Sequence, residues 1–229
     1  MPFLWFDWTW LILIPAFIVS IWAQVRVSNA YKKYAGVPVR SGVSGRQLAE
    51  EMLRKNNVAG VYVKPVSGQM TDHFDPRSGT VSLSEGVYGK SSVAAVSIAA
   101  HEVGHVLQRE QNYGPMKVRS ALVPVANLAS NLALPMILIG ILFASFDFLI
   151  TIGAWLYFAS VIFQVVTLPV EFNASKRAMQ NISAMGVMTE TEQAEAKNML
   201  SAAAMTYVAA MLASFLSFLR LLLLSRRRR

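Results

Sequence analysis

The sequence predicts an α-helical polytopic membrane protein that carries a small α+β region between its first two spans. Three observations lead there. The 229 residues are 54% hydrophobic with a mean hydropathy of +0.42, more apolar than a soluble domain. The apolar residues gather into four runs, 3–23, 122–146, 148–168 and 199–219, each near the roughly 20 residues needed to cross a hydrocarbon core of about 30 Å. The polar stretch between the first two runs mixes helix and strand patterns.

Residues 1–23 are the first span. The run has no basic start and is followed by Gln24-Val25-Arg26 instead of a small-residue cleavage site, so it is a retained span and not a secretory signal. Trp5, Trp8 and Trp10 suit anchoring at an interface. Residues 24–121 are the α+β region. No Lys or Arg precedes the first span, whereas Arg26, Lys32, Lys33 and Arg40 follow it, so the positive-inside rule puts this region in the cytoplasm. Residues 122–168 read as a transmembrane hairpin. Arg109, Lys117 and Arg119 precede it, Asp147 alone is charged within it, and Lys176 and Arg177 follow it. Residues 169–198 return as a helical region on the inner side. Residues 199–229 are a hydrophobic segment with a basic tail, and that tail opposes the rule if the segment crosses. The segment is then re-entrant or peripheral, or the tail is an exception; four spans is the expectation carried forward.

Within the α+β region, Ser44 and Gln47 form a capping-box pattern that opens a helix over about 45–56. Residues 60–66 alternate like a strand, Asp75-Pro76-Arg77-Ser78-Gly79 reads as a turn, and residues 80–83 alternate like a second strand. Ser91 or Ser92 can cap a helix running from Ala94 to about Arg109, and Gly114-Pro115 breaks the chain before the second span. The absence of cysteine excludes disulfides, thiolate ligands and cysteine catalysis, and fits a reducing compartment. The net charge of +8 is assigned to topology and anionic lipid. Thirteen of the 21 Lys and Arg lie between Arg26 and Arg119, and no nucleic-acid motif accompanies them.

The helix after Ser92 carries His101-Glu102-Val103-Gly104-His105, an HExxH motif, and His73 is the one further histidine in the chain. Residues four apart share a helix face, so both imidazoles can grip one zinc ion, with Glu102 placed as a general base. A buried glutamate without such a task would be costly. Gly104, between the ligands, lets another element approach closely. A catalytic zinc takes three protein ligands and leaves one position open. The metzincin pattern would put a third histidine at 111, which is Gln. Glu171 ends an apolar run in Leu168-Pro169-Val170-Glu171-Phe172-Asn173-Ala174-Ser175. It is either the carboxylate ligand or a membrane-edge glutamate facing water. The even number of spans between His105 and Glu171 favours the ligand, because a tight hairpin returns the chain to the face it left.

These stretches, together with Asp72-His73-Phe74-Asp75-Pro76 and Leu83-Ser84-Glu85-Gly86-Val87-Tyr88, resemble the YugP-like family of neutral zinc metallopeptidases. These are bacterial membrane proteins, and the resemblance runs over nearly the whole chain. The arrangement is also similar to the HtpX-type gluzincin proteases, where a pair of spans separates the HExxH helix from a glutamate helix. The resemblance implies a zincin-like catalytic region facing the cytoplasm from a bacterial plasma membrane. It implies Zn2+ held by His101, His105 and Glu171, and Glu102 as general base in peptide hydrolysis. A peptide or protein substrate would lie along an edge strand formed by residues 80–83. In the gluzincin pattern an Asp supports a zinc-binding histidine; here that position is Ser175, which offers one bond without charge.

His73 is a candidate for stabilising the oxyanion, against an ordinary turn histidine beside Asp72 and Asp75. Tyr88 and Arg177 read as structural. Two other classes stay open. One is a non-proteolytic membrane scaffold in which zinc is structural or absent; a structural zinc would usually need a fourth protein ligand, which would have to be His73. The other is a site-2-type intramembrane protease, which would need the motif helix itself to span, yet its apolar stretch covers only about 93–100. Small residues at 201–204 and 209–213 suit helix packing within the chain or between copies.

Overall fold

The computed structural model describes residues 8–227, so Trp5, the start of the first apolar run and the last two arginines lie outside the described residues. A 3-10 segment, Trp8–Leu13, leads into α1 (Ile14–Ala35). Then follow α2 (Gly45–Lys55), β1 (Tyr62–Val66), β2 (His73–Asp75), β3 (Thr80–Ser84) and α3 (Glu85–Tyr88). The chain continues through α4 (Val93–Glu110), α5 (Gly114–Leu142), α6 (Phe148–Met185) and α7 (Glu190–Arg227). It divides into two compact units.

The first unit comprises residues 8–24, 118–168 and 206–227. Among the described residues, four helices are long and apolar enough to cross a membrane: Trp8–Ala35, α5, α6 and α7. Helices α5 and α6 form an antiparallel hairpin that is close because small residues face it. A β-carbon on Gly153 would meet Ile137 Cγ1 at 2.6 Å and the Ala133 carbonyl at 3.0 Å, and the Ser130 and Ser160 hydroxyls lie 2.8 Å apart. Near the end of α7, Ser225 Oγ lies 2.7 Å from Thr151 Oγ1 at the start of α6, and Arg220 stacks 3.8 Å over Trp10. That end of α7 therefore sits beside the beginnings of α6 and of the first span. Helix α7 is continuous over 38 residues, and its stretch in this unit is 206–227.

The second unit comprises residues 25–117 and 169–205. Helix α2 opens on the capping box expected of Ser44 and Gln47 and buries Leu48, Ala49, Met52 and Leu53. Helix α4 is the centre of the unit, with Val93 through Val96, Ala99, Ala100, Val103 and Val106 all inaccessible or nearly so. Ser92 accepts from the Ala95 N–H as its cap, while Ser91 donates to the Gly42 carbonyl. Around α4 pack α2, the sheet, and the parts of α6 and α7 that bring Ala178, Ile182, Ala196 and Met199. The helix ends at Gln111, and the break falls at 111–113, where Asn112 takes φ +54°. Gly114-Pro115 begins α5 and does not break the chain. A proline in a first turn gives up an N–H that has no helical partner.

The sheet corrects one expectation. Its order is β1-β3-β2: β3 pairs in parallel with β1 and antiparallel with β2. Residues 80–83 are therefore central and not an edge. The edge next to them is β2, a strand that the turn residues Asp75 to Gly79 concealed. Asp75 accepts the Arg77 N–H at 2.9 Å and the Ser78 hydroxyl at 2.7 Å, closing the β2–β3 hairpin. Alternation in sequence reports which faces are buried and is silent on which strand hydrogen-bonds beside which. Four of the five residues of β3 are buried, as a strand covered on both sides should be. The preceding Asp72 carboxylate accepts the Ser84 N–H at 2.7 Å and the Ser84 hydroxyl at 2.9 Å, which ties the start of β2 to the end of β3.

Candidate metal centre

Helix α4 presents His101, Glu102 and His105, and α6 presents Glu171 and Ser175. The two helices touch at Gly104. A β-carbon there would lie 2.5 Å from the Ala174 carbonyl oxygen and 3.2 Å from its Cα, so only glycine admits this approach. It sets the carboxylate of Glu171 against the zinc-motif face. Glu171 Oε2 is 3.2 Å from His101 Nε2 and 3.4 Å from His105 Nε2. The imidazoles meet edge to face with centroids 4.8 Å apart. Among the described residues this is the one group of three His, Cys, Asp or Glu side chains that could hold a metal, with ligand atoms within 4.8 Å of one another.

Burial makes the grouping informative. Glu171 is 2% exposed and His105 is 7% exposed, and a carboxylate removed from water needs a cation. The outer nitrogens are already engaged: His101 Nδ1 is 3.1 Å from Ser175 Oγ, and His105 Nδ1 is 3.0 Å from Gln108 Oε1. The Nε2 atoms and the carboxylate oxygen then converge on one point. For ligand bonds of about 2.1 Å, tetrahedral geometry places ligand atoms about 3.4 Å apart; the two carboxylate–imidazole distances, 3.2 and 3.4 Å, match that spacing, and all three ligand atoms lie within 4.8 Å of one another. Burial alone would lower the His105 pKa, but hydrogen bonding to Glu171, the charges of Glu102 and Glu171, and Gln108 together raise it. Positive charge is favoured at this point.

Glu102 is 8% exposed and next to His101, and no hydrogen bond holds its carboxylate among the described residues. His73 is not part of the cluster. It is exposed on β2, with Nδ1 2.8 Å from the Thr71 carbonyl. Tyr88 lies under Arg46, 5.5 Å from the guanidinium. Sequence reasoning passed over Gln108, gave Asn173 no role at the site and read Arg177 as structural. Gln108 is fully buried and donates to the Val170 carbonyl at 2.7 Å and to Asn173 Oδ1 at 3.0 Å, and Arg177 Nε donates to the same Asn173 oxygen at 2.7 Å. A signal existed: Gln108 falls three residues after His105 and seven after His101, on the ligand face of a largely apolar helix.

The family model described as "Putative neutral zinc metallopeptidase" matches residues 9–226. A protein of Bacillus subtilis (strain 168) named "Putative membrane protease YugP" is 44% identical over 211 residues, covering 92% of this chain and 93% of the relative. No solved structure matches the chain.

Proposed function

The chain belongs to the family described as "Putative neutral zinc metallopeptidase", and from that membership we propose that it is a membrane-bound endopeptidase of the gluzincin type. His101, His105 and Glu171 are the zinc ligands and Glu102 is the general base. The observation that carries this reading is the convergence of two Nε2 atoms and one buried carboxylate oxygen while both Nδ1 atoms are occupied elsewhere. Zinc bound there supplies Lewis acidity, lowering the pKa of water and polarising a carbonyl. Glu102 takes the proton from the attacking water and passes it to the leaving amine. Ser175 and Gln108 orient the two imidazoles. An extended peptide finds unpaired backbone groups along the outer edge of β2, where main-chain hydrogen bonding can align it. His73 lies on that strand, and a role against the oxyanion or the peptide backbone is part of the proposal. The cytoplasmic placement of this unit rests on the positive-inside pattern of its flanking loops.

A structural zinc would recruit a fourth protein ligand, and the cluster holds three among the described residues. Helix α4 is not among the four helices apolar enough to cross a membrane, which weighs against intramembrane proteolysis. The test is zinc content and peptide hydrolysis of the full chain purified in detergent. About one zinc per chain is expected in wild type, His73→Ala and Glu102→Gln, with strong loss in Glu171→Ala. Hydrolysis should fall about 10²–10⁴-fold in Glu102→Gln. Zinc kept by Glu171→Ala and lost from His73→Ala would refute the ligand set.

A further inference from the structure

We propose that Arg177 and Asn173, working through Gln108, are positioning residues that hold His105 with Nδ1 protonated and the Nε2 lone pair turned to the metal. The proposal rests on the ligand assignment above. Each amide in this chain is oriented by a neighbour that can play only one part. A guanidinium only donates, so Arg177 Nε, 2.7 Å from Asn173, faces that amide's oxygen. A peptide carbonyl only accepts, so the Val170 oxygen, 2.7 Å from Gln108, faces its nitrogen. The second hydrogen of that nitrogen goes to Asn173 Oδ1 at 3.0 Å. Gln108 Oε1 is left toward His105 Nδ1, 3.0 Å away, and an acceptor there requires an N–H. Nε2 is then the nitrogen left to face the Glu171 carboxylate, 3.4 Å away, and the metal.

Turning the Asn173 amide over would set its nitrogen against that of Gln108, and Arg177 blocks this. Arg177 is itself fixed by a hydrogen bond to Gln111 Oε1 and by the Tyr113 ring, 5.8 Å from the guanidinium. The turn that ends the zinc-motif helix is thereby tied to the same cation. His101 has a less determined partner. The Ser175 hydroxyl at its Nδ1 can donate or accept.

The experiment pairs two readouts on the full chain in detergent: the 15N signature of the histidines in metal-free protein, and zinc affinity by chelator competition. Wild type should show His105 protonated at Nδ1. Gln108→Leu and Arg177→Met should each give mixed tautomers, with zinc affinity about 10–100-fold and about 3–10-fold weaker respectively. The double variant should be no weaker than Gln108→Leu alone, because Arg177 acts through Gln108. Asn173→Asp keeps an acceptor for both donors and should stay within about 3-fold of wild type even if Asn173→Leu does not fold. An unchanged His105 signature in Arg177→Met, or multiplying losses in the double variant, overturns the proposal. Zinc retained by Glu171→Ala with the His105 signature as described removes the ligand assignment and leaves the relay standing.

Discussion

Gly104→Ala tests whether one helix contact builds the metal centre. In open helix the change would stabilise by about 1 kcal/mol, because alanine loses less backbone entropy. Here the new β-carbon would sit 2.5 Å from the Ala174 carbonyl oxygen and 3.1 Å from its carbon. Both are backbone atoms that no rotamer change can move aside. Ordinary contact begins at 3.4 Å, so the helices must part by about 0.9 Å, at an overpacking cost of about 1–3 kcal/mol. The net is a loss of roughly 1 kcal/mol, or about 2–4 °C in Tm for a chain of this size. Glu171 lies one turn from Ala174 and moves with it. Zinc sites tolerate only about 0.2 Å in ligand distance, so affinity should fall at least about 10-fold and hydrolysis about 100-fold. Thermal unfolding of the metal-free chain and chelator competition measure the two effects. Gly89→Ala is the control, since a β-carbon there has no neighbour within 4 Å. A Gly104→Ala chain that melts above wild type, or binds zinc as tightly, would show that the approach of α4 to α6 is not what sets the site.

Ser175→Ala removes the hydroxyl 3.1 Å from His101 Nδ1 and should weaken zinc by about 10-fold, whereas Ser175→Asp should bind at least as tightly as wild type. Equal affinities in all three chains would mean that Ser175 does not support His101. Burial pushes the Asp72 carboxyl up, against the hydrogen bonds from Ser84 that pull it down. A raised folded-state value favours folding below the unfolded carboxyl pKa of about 3.9, and that contribution is lost as pH rises through the folded value. Asp72→Asn stays neutral and keeps an acceptor for the Ser84 N–H. It should melt at or above wild type at pH 7, with the difference shrinking toward pH 4; a lower melting point at pH 7 contradicts this.

Much of the second unit was legible before any coordinates. The Ser44–Gln47 box, the helix after Ser92 and the close approach at Gly104 are local consequences of residue type. Hydroxyls cap, apolar residues at helical spacing bury, and a glycine between bulky neighbours admits another backbone. The relay of Gln108, Asn173 and Arg177 was not legible. Gln108 lies 65 residues before Asn173 and on a different helix, and each member alone looks like an ordinary polar residue. The strand β2 was hidden for a different reason. Three residues beside a Pro-Gly turn carry too little pattern to register, and their pairing comes from β3.

The sequence by itself determined the membrane-spanning character, the HExxH helix and the presence of a carboxylate at the end of an apolar run, because each is a property of composition or of spacing within one element. The tertiary structure decided what no single element contains. It made β3 the central strand, set Ser225 and Arg220 of α7 beside Thr151 and Trp10, and brought Glu171 within 3.2 and 3.4 Å of two imidazoles. These depend on which surfaces bury one another, and burial is a property of pairs of elements far apart in the chain.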